Sequence, residues 1–438
     1  MNGYQKWNYN RYLPLDQWEK AGEPYLCRLI PLRDGMYIEW KNEYVCEVFY
    51  KERQGGRWQH AGNGKGNMLI HGLKLHCEYE VYIQMKNGKR CARRLVKTGE
   101  VIGTPIAYLH PDDRQYSFSG RFLCSPSIVR LPSGALLSSC DVFGPATPQN
   151  LTLIFRSDDG GNTWRHVCEL MPCFWGRLFY HRGSLYMLAT STEYGDLIIG
   201  KSDDEGETWS VPQTIVRGSC NLGRGCHRAP CSILYANGKI YTSLEFGSWR
   251  NGFFSTVISI DETADLMRPE NWTIAIPFKI ESDEPGAEAI EGNLVQALNG
   301  DIINILRYKP NEGIITRLDA TGLNVEYVSR IQLPFAHTKF EIQQHQNGQY
   351  YALGNSYPDR NVLALYTSED CMKWNWSCDI VNCADCDPEI TGFQYPSFVF
   401  NEEQLLIAVR TAFNGAENYH NSNYLTFHKL MMDDNTTE

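Results

Sequence analysis

Arg156-Ser157-Asp158-Asp159-Gly160-Gly161-Asn162-Thr163-Trp164 is the stretch that decides the fold. It returns 45 residues later as Lys201-Ser202-Asp203-Asp204-Glu205-Gly206-Glu207-Thr208-Trp209, and both copies fit Ser-x-Asp-x-Gly-x-Thr-Trp. Short Ser, Asp and Thr side chains bond readily to the backbone N–H groups of a tight turn, Gly supplies a positive φ, and Trp anchors the turn. Leu151 to Phe155 and Asp196 to Gly200 precede the two boxes and read as strands, so each box sits on a hairpin. Ser368-Glu369-Asp370 followed by Trp374 is a degenerate copy, and Ser259-Ile260-Asp261 followed by Trp272 is a copy with an insertion.

Around these boxes the chain runs in long hairpins. Each has a strand, a small turn residue and a returning strand, with turns at Gly134, Gly183, Gly238, Gly300 and Gly348 and a sixth near Glu403. A period near 50 residues with about four strands per unit is the signature of a propeller blade. Six such blades fill Ser119 to about Leu430, so 105–438 is predicted to be a six-bladed β-propeller. Residues 1–22 read as a lead-in. Over 23–104, short alternating runs such as Met36 to Trp40, Tyr44 to Tyr50 and Tyr79 to Gln84 predict a small β-sandwich. The fold class is therefore all-β.

The hairpin register also points to a site. Antiparallel strands bring residues eight to eleven before each turn beside residues about seven after it. The first set holds Cys124 and Pro126, Phe174 and Trp175, His227, Arg228 and Pro230, Glu291, His337 and Lys339, and Tyr395. The second set is Asp141, Thr190, Glu245, Arg307, Asn355 and Arg410, of which four are charged. A charge that ends an apolar strand must be solvated, paired or bound to ligand. Either these residues form structural ion pairs around a tunnel, or they line a polar substrate pocket. The convergence of His, Tyr, Arg, Asp and Glu favours the pocket.

Composition narrows the classes of partner. A net charge of −10 argues against nucleic acid or an anionic membrane, yet leaves room for a local basic pocket and an anionic sugar. Aromatic residues make up 12% of the chain and suit both inter-blade packing and sugar stacking. The 15 cysteines are irregularly spaced, and Cys383-Ala-Asp-Cys386 has no second metal-binding pair, so no metal or organic cofactor is implied. Free thiols in this number suit a reducing compartment. There is no apolar leader at the start and no run long enough to span a membrane. The expectation is a cytoplasmic protein, or a periplasmic or secreted one if a signal peptide has been removed.

The Ser-x-Asp-x-Gly-x-Thr-Trp boxes resemble the Asp box of sialidase-type β-propellers, and Trp40 with Leu73 and Tyr79-Glu-Val81 resembles fibronectin type III. The resemblance to the sialidase superfamily covers about 310 residues and implies a Tyr nucleophile, a Glu that takes its proton, three arginines for the sugar carboxylate and a separate acid. Glu291-Gly-Asn-Leu-Val with Leu306-Arg307 is similar to the segment bearing that Glu and the second arginine. Arg360-Asn361 to Tyr366 is similar to the strand of the third arginine, and Gln394-Tyr395-Pro396-Ser397 falls where the nucleophile does. The chain also departs from the pattern. Phe-Arg-Ile-Pro appears as Leu123-Cys124-Ser125-Pro126, so Cys124 replaces the first arginine, and the loop Phe143 to Asn150 holds no carboxylate for the acid. Arg410 stands where the family has a Glu, and is expected to project into the space left by Cys124. Gly225 to Pro230 and Glu417 to Phe427 resemble a divergent bacterial branch of the superfamily.

The resemblance thus implies an exo-acting glycoside hydrolase on a terminal, acidic or otherwise substituted sugar of a glycan. Tyr395 is its nucleophile, Glu291 the base partner, and Asp141 or Glu245 the proton donor. Arg307, Arg360, Arg410, His227, Arg228, His337, Lys339 and Trp175 are its substrate contacts. A conventional two-carboxylate mechanism using Asp141, Glu245 and Glu291 is also open, and two alternatives stand beside the hydrolase. A polysaccharide lyase would use His227 or His337 as base and Arg228 against a uronate. A glycan-binding propeller would carry no chemistry.

Overall fold

The computed structural model describes residues 23–41, 44–218, 225–249, 251–280, 286–356 and 358–432, so the expected lead-in, 1–22, lies outside the described residues. From Phe122 onward six antiparallel sheets follow one another along the chain. Their first strands are Phe122–Arg130, Phe174–His181, Cys226–His227, Ile290–Gln296, Glu341–Gln344 and Gly392–Asn401. First strands pack on one another between blades 6 and 1, 1 and 2, 4 and 5, and 5 and 6, and blade 3 meets the first strand of blade 4 through Lys239–Ser248, so the first strands are the inner strands of a six-bladed β-propeller. The ring is closed by Thr104–Tyr108, which forms the outer strand of the last blade against Tyr424–Met431. One sheet thus joins chain from before blade 1 to chain from the end of blade 6.

The expected turns fall where the backbone needs them. Gly134, Gly183, Gly238, Gly300 and Gly348 have φ between 70 and 90°, and the sixth turn places Glu402 at 54°. Blade 3 has a divided inner edge, Cys226–His227 and Leu234–Ala236, and a short 3-10 turn, Pro269–Asn271.

Inner strands of adjacent blades share no ladder, so their backbone N–H groups need other partners. Side chains provide them across the blades. Ser127 Oγ accepts from Leu178 N–H (2.9 Å), Ser397 Oγ from Ile128 N–H (3.3 Å), and Asn293 Oδ1 from Ile342 N–H (3.0 Å). Near the axis Arg177 donates to Glu341 (2.9 Å), Ser397 Oγ (2.8 Å) and Pro230 O (3.3 Å).

Before the propeller, seven strands between Leu26 and Lys97 pair as one sheet rather than as two separate ones. Its link is Lys65↔Asn67 across Gly66, whose φ is 78°. The edge strands Leu26–Leu32 and Arg94–Lys97 meet, so the sheet wraps one core around Trp40, Val48, Val81 and Ile83. A buried ion pair, Arg94 to Asp113 (2.6 Å), ties it to the chain entering the propeller. Among the described residues no helix is long and apolar enough to cross a membrane.

The two Ser-x-Asp-x-Gly-x-Thr-Trp boxes form superimposable turns. Ser157 Oγ accepts from Gly161 N–H (2.8 Å), Asp159 accepts from Thr163 N–H (2.8 Å) and Oγ1 (2.6 Å), and Trp164 Nε1 donates to Gly161 O (3.2 Å). Ser202, Asp204, Thr208 and Trp209 repeat those bonds. Asp159 and Asp204 each face into their own turn, which is a structural use. The Thr163 hydroxyl and N–H pull the Asp159 pKa down to about 2. A carboxylate depressed in the folded state stabilises above the ordinary aspartate pKa and loses that contribution as the pH falls through the folded value. Asp159→Ala is therefore expected to cost about 1 kcal/mol at neutral pH. Its urea midpoint should converge on that of the wild type between about pH 4 and pH 2.

Candidate active site

The inner strands carry a device that recurs in four blades. In blades 1, 2, 4 and 6 the pairing register slips across a β-bulge, at Cys124 to Ser127, Phe174 to Arg177, Ile290 to Asn293 and Gln394 to Ser397. Inside each bulge one non-glycine residue takes a left-handed backbone: Ser125 (φ 46°), Trp175 (51°), Glu291 (58°) and Tyr395 (53°). A bulge re-aims its side chain. All four of these residues line one cavity of about 560 Å³, to which every blade contributes.

The cavity gathers the core of the expected constellation. Glu291 Oε2 accepts from Arg307 Nε at 2.6 Å. Burial alone would lower the Arg307 pKa, but Glu291 and Tyr395 together raise it above its ordinary value. The Arg410 guanidinium lies 4.9 Å from the ring centre of Tyr395 and 4.6 Å from that of Phe143, and lines the cavity with Cys124. Arg360 donates to Gln394 Oε1 (2.8 Å), next to Tyr395, and sits 4.9 Å over the Tyr419 ring. The Tyr395 pKa is raised by burial and by Glu291, against the pull of Arg307, Arg410 and Arg360. His227 and Trp175 also line the cavity, with ring centres 4.6 Å apart.

The residues seven after each turn divide by blade. In blades 4 and 6, Arg307 and Arg410 face the cavity. In blades 1, 3 and 5 the equivalent residues brace the inner strand of the next blade. Asp141 accepts from Trp175 N–H (2.8 Å), Glu245 from Gly292 N–H (3.3 Å), and Asn355 Nδ2 donates to Phe393 O (2.8 Å).

That division corrects the expected proton donors. Asp141 and Glu245 are both almost fully buried and do not line the cavity. Burial pushes the Asp141 pKa up to about 8, against hydrogen bonds from Thr152 and Trp175, but its oxygens serve those two groups. Glu245 is held by His227 Nδ1 (2.9 Å) and Ser243 Oγ (3.2 Å).

Two expected substrate contacts are also displaced. Arg228 lies in the core, donating to Leu188 O (2.7 Å), Trp175 O (3.2 Å) and Thr242 Oγ1 (3.3 Å). Lys339 is fully buried and donates to Pro396 O (2.5 Å) beside Glu341. Both charges serve blade packing. His337 does not line the cavity either, although the charges of Arg360 and Arg307 reach it.

The cavity also holds residues that the sequence pattern did not single out: Gln149, Glu193, Trp249, His420 and Asn421. Glu193 follows the strand Ser184–Thr190 by three residues, in the loop Ser191 to Asp196. Gln149 belongs to the loop Phe143 to Asn150, which holds no carboxylate. Gln149 Nε2 donates to Glu193 Oε2 at 2.5 Å, joining loops of blades 1 and 2.

The chain matches no protein-family model, and no curated protein matches it. Among solved structures it is similar to the Hadza microbial sialidase Hz136, with 14% identity and a TM-score of 0.54 over 97% of this chain and 99% of that one. It is similar to the intramolecular trans-sialidase of Ruminococcus gnavus, with 12% identity and a TM-score of 0.51 over 76% and 99%. It is also similar to the α-L-arabinofuranosidase ARB93A of Fusarium graminearum, with 13% identity and a TM-score of 0.50 over 76% and 97%. At these identities the likeness is one of fold: the chain is a sialidase-like β-propeller.

The arginines set the charge state of their neighbours. Arg410 and burial push the His420 pKa down to about 3, and burial with Arg360 and Arg307 pushes that of His337 down to about 4. Below about pH 6.5 the unfolded chain takes up protons that these folded imidazoles refuse, so stability should fall as the pH drops toward those values. Ring proton resonances of both histidines should stay unshifted from pH 8 to pH 5. A midpoint near pH 6.5 at either residue contradicts the geometry.

Proposed function

We propose that the chain is an exo-acting glycoside hydrolase for a terminal sugar that carries a carboxylate. The observation that carries this reading is unspent positive charge. Of the three cavity arginines only Arg307 has a carboxylate partner among the described residues. Arg360 is bonded to an amide oxygen, and Arg410 to Ser422 Oγ (3.3 Å) and the carbonyl of His420. Two guanidiniums held by neutral acceptors in a half-enclosed cavity favour an anion, and the planar fork of arginine matches a carboxylate.

The same anion explains a phenol as nucleophile. A neutral Tyr395 meets a negatively charged sugar without repulsion, and Glu291 stands ready to take its proton. Arg410 takes the place of the arginine that Cys124 lacks. The solved sialidases are named for this kind of substrate, and the likeness in fold supports the reading without fixing the sugar. The Asp-box character of the two turn motifs and a fibronectin type III origin of the N-terminal sheet belong to the same proposal, with residues 23–104 as a packing partner of the propeller at 105–438.

The test is a panel of 4-methylumbelliferyl glycosides of sialic, ketodeoxyoctonic, glucuronic and galacturonic acids, with α-L-arabinofuranoside as the neutral control. Turnover of an acidic glycoside and none of the control is expected. Tyr395→Phe should lower kcat/KM by about a thousandfold or more. Full activity in that variant, or turnover of the neutral glycoside alone, contradicts the proposal.

A further inference from the structure

The reading above leaves the leaving group without a proton donor, because Asp141 and Glu245 are sealed behind the cavity wall. Two carboxylates line the cavity among the described residues, Glu291 and Glu193. Glu291 is committed to Arg307 beside Tyr395. Glu193 enters from blade 2, away from the blades that carry Glu291 and Tyr395.

Resting on that reading, we propose that Glu193 is the general acid and base of this site, with Gln149 as its positioning residue. The hydrogen bonding favours this role. A guanidinium would clamp Glu193 in its ionised form, whereas its partner is the neutral amide of Gln149 (2.5 Å). Burial raises the Glu193 pKa, with Gln149 and His227 drawing it partly back. A carboxyl so placed can hold a proton and give it up. The titratable groups that act on it or lie beside it are His227, backed by Glu245, together with Cys124 from blade 1 and its neighbour Tyr194. His227 is fixed by Glu245 at Nδ1 and by the Trp175 and Phe253 rings, 4.6 and 4.8 Å away, so that wall of the pocket is stiff. The loop Phe143 to Asn150, which lacks the expected acid, thus contributes the residue that holds an acid supplied by the next blade.

The steps balance. The Tyr395 oxygen bonds to the anomeric carbon and its proton passes to the Glu291 carboxylate. The bond from the anomeric carbon to the aglycone oxygen breaks, and that oxygen takes the Glu193 proton. Water then attacks the anomeric carbon and gives a proton to Glu193. The bond to Tyr395 breaks, and Glu291 returns the proton to the phenolate oxygen. The net change is hydrolysis.

The test compares the 4-methylumbelliferyl glycoside cleaved by the wild type with the methyl glycoside of the same sugar. A methylumbelliferone leaving group departs with little proton help, and methanol does not. Glu193→Gln should keep kcat/KM within about tenfold on the first and lose about a thousandfold on the second. Gln149→Met should shift the same ratio in the same direction by a smaller factor. Sodium azide should restore turnover of the aryl glycoside by Glu193→Ala, with a glycosyl azide as product. Equal losses on both glycosides, or none on either, overturn the role of Glu193. If Tyr395→Phe is inactive while Glu193→Gln matches the wild type, the hydrolase reading stands and this inference falls. A wild type that cleaves neither glycoside removes both.

Discussion

Everything at the cavity depends on a backbone that four inner strands would not adopt by preference. Ser125, Trp175, Glu291 and Tyr395 are held in left-handed bulges, a conformation that costs non-glycine residues on the order of 1–3 kcal/mol each. Such strain persists only where the surroundings over-determine it. Here the surroundings are visible. Asp141 grips the N–H of bulged Trp175, and Glu245 grips the N–H that follows bulged Glu291. The buried acids that look like chemistry in the sequence are braces for the bulged strands. Straightening one bulge would swing its side chain out of the cavity, because side chains in a regular strand alternate between faces.

An acidic protein with a basic mouth follows from the same division of labour. The net charge of −10 is spread over surface and turns, while Arg307, Arg360 and Arg410 converge from three blades on one ring, that of Tyr395. Their mutual repulsion is tolerated because the inner strands are stitched together by Ser127, Ser397 and Asn293 and by the Arg177–Glu341 pair on the axis. Arg410, from the last blade, lines the cavity beside Cys124 of the first.

The blades were legible because their signals are local. A turn glycine at positive φ and a Ser, Asp, Thr and Trp bonding within one loop each leave a mark within a few residues. That Glu291, Arg307 and Tyr395 share one cavity was legible because hairpin geometry links positions before and after one turn. The bulges were not legible, since nothing in Ser, Trp, Glu or Tyr announces a left-handed backbone. Arg228 and Lys339 were misplaced because inner strands alternate between the cavity and the packed core. Adjacent residues such as His227 and Arg228 then have opposite fates. The Gln149–Glu193 contact was invisible because it joins two loops 44 residues apart on separate blades.

The solved propellers that this chain resembles are named for different sugars, so the fold leaves specificity to the groups at the mouth. The claim that matters most is that a sugar carboxylate is held by the three arginines with its anomeric carbon turned to Tyr395. A crystal structure of the Tyr395→Phe chain with an uncleaved acidic glycoside measures this directly. The account predicts the carboxylate within hydrogen-bonding distance of Arg307, Arg360 and Arg410 and the anomeric carbon against the ring at position 395. A carboxylate lying elsewhere, or a sugar seated with its anomeric carbon facing away from that ring, would contradict it.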